Sequence, residues 1–195
     1  MIYDSNIQIS DIREEALHLN IPIIKKETEK ELIKIIKKYN IKSILEIGTA
    51  NSYSSHIFAR NGAKVLSLEK NYNMYNLALK NLINSRLNKN IQVLFKDALH
   101  YDTNKKFDMI FIDGSKTNYL KFFQKFQDNL NHEGIIITDN INFHNLKIEE
   151  VNRRTKKILL RINEYKEFLK KNKLFKTIFL DVGDGISISK KAKKI

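Results

Sequence analysis

Ser43-Ile44-Leu45-Glu46-Ile47-Gly48 is a short apolar run that stops on a glycine, and its reading decides the fold. A run of this length, apolar at successive positions, is a strand buried on both faces. Forward of it, a helix is expected from about Ser52 to Arg60, stopped by Asn61-Gly62. Lys64–Leu68 then reads as a second strand closing on Glu69, Tyr72–Leu87 as a second helix, and Ile91–Phe95 as a third strand. Asp108–Ile112 is a fourth strand, followed by a helix from about Lys116 to Leu130, and Ile135–Thr138 is a fifth. Backward of it, residues 22–39 space Ile24, Thr28, Leu32, Ile35 and Ile36 at helical intervals, with Pro22 as a start signal. Such alternation predicts an α/β fold, a parallel sheet covered by helices on both sides. The ending departs from it. A basic helix over about 148–171 leads to Phe175–Leu180, a turn at Gly183-Asp184-Gly185 and Ile186–Ser189, an antiparallel hairpin.

Composition bounds the rest. The 195 residues suit one domain over 1–195, with a helical segment in 1–40 and a basic tail in 190–195. There is no cysteine, which excludes disulfides, thiolate zinc sites and cysteine nucleophiles. The five histidines show no ligand spacing. No apolar run approaches the ~18 residues of a membrane span. The first residues carry acidic groups and no apolar core of a secretory signal, so the cytoplasm is the expected location. The formal charge of +13 attracts polyanions, nucleic acid first among them. An A/T-rich coding bias would also enrich lysine, asparagine and isoleucine.

Ligands of open parallel sheets sit beyond the carboxyl ends of the strands. Gly48 follows the first strand, where a glycine lets the backbone turn and approach a ligand. Glu69 closes the second, where a carboxylate can accept both ribose hydroxyls of an adenosine. Asp97-Ala98 follows the third and can address an adenine edge. A dinucleotide shares this logic, but Gly-x-Gly-x-x-Gly is absent. A small cofactor with its own positive charge fits better, with Glu46 as its partner directly or through water. After the fourth and fifth strands stand Asp113 and Asp139-Asn140. Two carboxylates and an amide oxygen on adjacent strands form an all-oxygen set suited to Mg²⁺, with Mn²⁺ able to use the same donors.

The series Glu46-Ile-Gly48, Tyr53-Ser54, Glu69, Asp97-Ala98, Phe111-Ile-Asp113-x-x-Lys116, Thr138-Asp139-Asn140 and Val182-Gly-Asp-Gly185 resembles the cation-dependent O-methyltransferases. These include the catechol and caffeoyl-CoA enzymes. Within the group, Thr138-Asp139-Asn140, the Arg/Lys run before Ile162-Asn163-Glu164-Tyr165 and the ending Val-Gly-Asp-Gly-x-x-Ile-Ser-Lys-Lys resemble the bacterial tRNA 5-hydroxyuridine branch. The resemblance implies a doubly wound, seven-stranded, mostly parallel sheet and a homodimer. It implies S-adenosylmethionine (SAM) along Glu46, Gly48, Ser54, Glu69, Asp97, Ala98 and Asp113, and Mg²⁺ on Asp113, Asp139 and Asn140. It implies methylation of 5-hydroxyuridine to 5-methoxyuridine at the wobble position, with a catechol or caffeoyl-CoA-like acceptor as the alternative. Asp113 and Lys116 become the candidate catalytic residues, Lys116 at the position of a general base. Ser52 stands where the family often has glycine.

The basic helix supplies the candidate contacts to a tRNA anticodon stem-loop. Arg153, Lys157 and Arg161 recur every four residues, which puts three cations on one helical face. Arg154, Lys156 and Lys157 lie in the same run, and Lys147 precedes it.

Overall fold

A computed structural model describes residues 7–142 and 151–192. Its elements run α1 (Ile9–His18), α2 (Lys26–Lys38), β1 (Ser43–Ile47), α3 (Tyr53–Arg60), β2 (Lys64–Glu69), α4 (Tyr72–Ile83), β3 (Ile91–Phe95), β4 (Phe107–Ile112), α5 (Tyr119–Phe126), β5 (Leu130–Thr138), α6 (Arg153–Lys171), β6 (Phe175–Leu180) and β7 (Ile186–Lys191). The strands form one seven-stranded sheet in the order β3-β2-β1-β4-β5-β7-β6. The first five are parallel, and β7 enters antiparallel to both β5 and β6. Chain order reverses between β1 and β4, so a crevice opens at the carboxyl ends of those two strands.

The strands are apolar at consecutive positions because each feeds two cores. Ile44, Val65, Met109, Phe111, Ile135 and Ile137 face α1–α4. Leu45, Leu66, Ile110, Ile112 and Ile136 face α5 and α6. At the amino ends of the strands, Asp108 ties β1 to β4 and β5. Its carboxylate accepts from Lys42 N (2.9 Å), Ser43 N (2.9 Å), Ser43 Oγ (3.0 Å) and Asn131 Nδ2 (2.6 Å).

Several boundaries differ from the expected ones. The helix expected over 22–39 starts only at Lys26. Residues 21–25 form no helix or strand, with Ile21 and Ile24 buried and Pro22 and Lys25 exposed. The helix expected from Lys116 opens as a 3₁₀ turn, Lys116–Asn118, before α5. The helix expected to reach Leu87 ends at Ile83. Strand β5 begins at Leu130 rather than Ile135, because Leu130 pairs with Phe107 before a register shift, and pairing resumes at Ile135 with Met109. In the expected basic tail, Lys190 and Lys191 close β7. In α6, Asn152 caps the first turn by accepting from Thr155 N, and residues 148–150 lie outside the described residues. Among the described residues, no helix is long and apolar enough to cross a membrane.

Candidate active site

The crevice at the β1/β4 reversal is a cavity of about 630 Å³. Its floor is the loop after β1. Gly48 has φ +98°, and a Cβ there would stand 2.8 Å from the Asp113 carbonyl oxygen and 3.0 Å from Gly114 Cα. Glycine is therefore demanded by the neighbouring β4 loop, a tighter constraint than the ligand approach expected from sequence. Ala50 (φ +47°) and Ser52 (φ +73°) also lie in the left-handed region. Ser52 thus adopts the backbone that a glycine would take at that position.

Glu69 reaches back under this loop. Its Oε2 accepts from Thr49 N (3.1 Å) and Ala50 N (3.0 Å), and its Oε1 from Asn71 N (2.8 Å). Asp97 caps the turn Ala98–His100 by accepting from Leu99 N. Glu69, Asp97 and Ala98 all line the cavity, as do Gly48 and Ser54. Glu46 does not line it. Its carboxylate is wholly buried beneath, accepting from Ser54 Oγ (2.5 Å), Ser67 Oγ (2.6 Å) and Ser55 Oγ. Burial pushes the Glu46 pKa up to about 7 against the pull of those three hydroxyls, and Glu69 adds to the rise. Direct contact with a cofactor, one of the two expected roles, is not what this geometry offers; Glu46 orients Ser54 instead.

At the other end stand Asp113, Lys116 and Asn140. Ile112 pairs with Thr138 across β4 and β5, and Asp139 N donates to Ile112 O. Asp113 and Asp139 are therefore the next residues on neighbouring strands. Burial, then the charge of Asp139, holds the Asp113 carboxyl well above the usual range, with Lys116 opposing. Burial likewise raises Asp139 to about 6, opposed by Asn140 N and Lys116. Lys116 Nζ donates to Asn140 Oδ1 (2.7 Å). Among the described residues, no group of three or more His, Asp or Glu side chains gathers to hold a metal. Asp113, Asp139 and Asn140 bring two carboxylates and one amide to this corner.

Two features of the site were not expected from sequence. Residues 21–25 form a wall of the cavity, and Lys25 Nζ meets Asp184 Oδ1 at 2.7 Å across it. In the sequence Asp184 reads as part of a hairpin turn and of the Val182–Gly185 motif, without a role in the site. Its setting between Gly183 and Gly185, both with positive φ, was the available signal of a tight return toward the site.

Beside the cavity lies a second groove of about 500 Å³, and Ser115 lines both. Arg154, Lys157 and Arg161 of α6 line it together with Lys121 and Glu164. Arg153 and Lys156 are exposed but outside it. Of the α6 cations, those facing the groove are thus Arg154, Lys157 and Arg161, and Arg153 of the four-residue series is not among them. The helix turns the face of Leu159, Ile162, Tyr165 and Leu169 into the core, and this fixes which cations flank the groove. Lys147 lies outside the described residues.

A doubly wound sheet with an adenosine-sized crevice at its reversal and carboxylates at its rim defines a class of nucleotide-cofactor enzymes. Comparison with known proteins specifies it. The family model described as O-methyltransferase matches residues 2–192. A Staphylococcus aureus protein named a "putative caffeoyl-CoA O-methyltransferase" is 34% identical, with 96% of this chain and 93% of that one covered and a TM-score of 0.91. An O-methyltransferase from Bacillus cereus, solved with S-adenosylhomocysteine (SAH), shares the fold at 22% identity, covering 94% and 90% of the two chains with a TM-score of 0.80. The Tapetum-specific methyltransferase 1 of Arabidopsis thaliana is 23% identical over 172 residues, 80% of this chain and 72% of its own. The chain belongs to the O-methyltransferase family, as a SAM-dependent enzyme of the class I fold.

Proposed function

We propose that this enzyme methylates one of two adjacent oxygens on its acceptor, with a divalent cation held by Asp113, Asp139 and Asn140. The observation that carries the reading is the pair of buried carboxylates at neighbouring strand ends. Two like charges side by side in a dry site oppose each other's ionisation, and a cation between them relieves that cost. Oxygen donors of this kind fit Mg²⁺ or Mn²⁺. When bound, such an ion lowers the pKa of a ligated hydroxyl and fixes its direction, while SAM supplies the methyl group on its sulfonium.

The remaining work falls to the chain's own side chains. Glu69 is assigned the ribose hydroxyls and Asp97-Ala98 the adenine edge. Gly48 and Ser54, the latter oriented by Glu46, take the methionine end. Asp113 stands between the two ligands and serves both. Lys116, already on Asn140 Oδ1 at 2.7 Å, orients that amide and assists departure of the acceptor proton. Because it assists, Lys116→Ala is expected to retain more activity than Asp139→Ala; equal loss would contradict this ranking.

For the acceptor, the names of the similar proteins favour a small phenol, catechol-like or linked to coenzyme A. A second reading rests on a specific observation, the groove lined by Arg154, Lys157 and Arg161 beside the cavity. Cations there suit the phosphates of a tRNA anticodon stem-loop, and 5-hydroxyuridine offers the required pair, a 5-hydroxyl beside the C4 carbonyl oxygen. The product is 5-methoxyuridine. Transfer of labelled methyl from SAM to catechol, to caffeoyl-CoA and to hydroxyuridine-containing tRNA separates the readings. Incorporation into tRNA alone selects the second; incorporation into either phenol alone selects the first. No incorporation into any of the three removes both.

A further inference from the structure

The loop Gly48–Ser52 holds three left-handed residues in alternation, and two of them, Ala50 and Ser52, carry side chains that disfavour that conformation. Something must hold the loop in this shape. From the cavity side, Glu69 grips Thr49 N and Ala50 N. From behind, a second grip comes from α1, which does not line the cavity, and from the buried face of α4. Asn51, wholly buried, donates Nδ2 to Ile12 O of α1 (2.7 Å) and toward Glu15 Oε2 (3.4 Å). Asn81 of α4, also wholly buried, donates Nδ2 to the same Glu15 oxygen (2.8 Å) and to Asn51 O (3.0 Å). Glu15 is the acceptor at which α1, α4 and the loop meet. Asn81 sits on the buried face of α4 with Ala78 and Leu82, where an amide is costly unless it is partnered. The partners of its Nδ2 are the loop and the carboxylate.

We propose that Glu15, Asn51 and Asn81 are positioning residues for SAM. They clamp Asn51, the residue between the two strained positions, and so keep Gly48, Thr49 and Ala50 in the form that lines the cavity. This rests on the reading of that cavity as the SAM site. It makes α1, which contributes no cavity-lining residue, a working part of cofactor binding. Loss of the clamp lets the loop relax out of the left-handed conformation, so the binding-competent fraction falls and the apparent affinity falls with it.

Calorimetric titration with SAH tests this on the full chain. Asn81→Ala is expected to weaken binding about tenfold, while Glu15→Gln, which keeps an acceptor oxygen, weakens it far less than Glu15→Ala. Adding Ser52→Gly to Asn81→Ala should restore part of the loss, because glycine adopts the left-handed φ without a clamp. A merely structural role would instead lower the melting temperature and leave SAH affinity intact, or give a loss that Ser52→Gly does not reverse. Either result overturns the proposal. Should Asn81→Ala fail to fold, Glu15→Ala at the more exposed end of the network carries the same expectation. Wild-type protein that does not bind SAH overturns the cavity reading and the proposal with it. Wild-type binding with unmoved variants overturns the proposal alone.

Discussion

Gly48 shows how closely fold and site share single residues. A Cβ on it would press into the carbonyl of Asp113 and the Cα of Gly114, so the loop after β1 and the loop after β4 lie against each other beyond the ends of the two paired strands. Gly48→Ala adds a left-handed alanine and a backbone clash, and is expected to destabilise the protein by more than about 2 kcal/mol. Chemical denaturation measures this, and a loss below about 0.5 kcal/mol would contradict the packing argument. Glu46 makes a different prediction. Its folded pKa of about 7 lies above the ordinary 4.5, so the folded state binds more protons than the unfolded state between those values. Its stabilising contribution is full below about pH 4.5 and is lost as pH rises through about 7. Glu46→Gln removes this dependence. Between pH 5 and 8 the wild type should lose on the order of 1–3 kcal/mol more than the variant; parallel profiles would refute it. That Gly48 and Glu69 stand at the cavity was legible in the sequence, because a Gly or Glu at a strand's end is a local signal. That Glu46 faces three serine hydroxyls rather than the cavity was not, since Ser54 and Ser55 come from α3 and Ser67 from β2.

Among the elements, the strands were the most legible. The central strands β1, β2 and β4 are short apolar runs because both faces are buried, and β5 and β7 were underestimated, β5 before Ile135 and β7 at Lys190 and Lys191. Helix boundaries were less so. Apolar spacing continues from α2 back through Ile21 and Ile24, and nothing local distinguishes a buried irregular segment from a helical turn at those two residues. Tertiary demand, the wall of the cavity, decides it. The same holds for α6: four-residue spacing proposed one cationic face, and the burial of Leu159, Ile162 and Tyr165 selects another. On the tRNA reading, replacing Lys157 and Arg161 by glutamine is therefore expected to weaken binding of RNA and reduce its salt slope by about two, with SAH affinity unchanged. Arg153→Gln and Lys156→Gln together should have the smaller effect. Equal effects of the two pairs would place the polyanion contact elsewhere. At the opposite end of the sheet, Asp108→Ala removes four hydrogen bonds joining β1, β4 and β5. A loss of about 2–3 kcal/mol is expected, with SAH affinity in the folded fraction retained.

At the scale of the whole molecule, one sheet collects its chemistry at one rim. The reversal between β1 and β4 opens the cavity, the parallel register of β4 and β5 sets Asp113 beside Asp139, and the hairpin β6–β7 returns Asp184 to Lys25. On the tRNA reading, net charge draws the polyanion and the groove of α6 is where it would lie. Everything proposed about the reaction depends on Asp113, Asp139 and Asn140 sharing one divalent cation. Binding of Mn²⁺ to metal-free protein, followed by electron paramagnetic resonance, tests this directly and needs no knowledge of the acceptor. One site per chain is predicted for the wild type and none of comparable affinity for Asp139→Asn. Absence of a site in the wild type, or an undiminished one in the variant, would contradict the account.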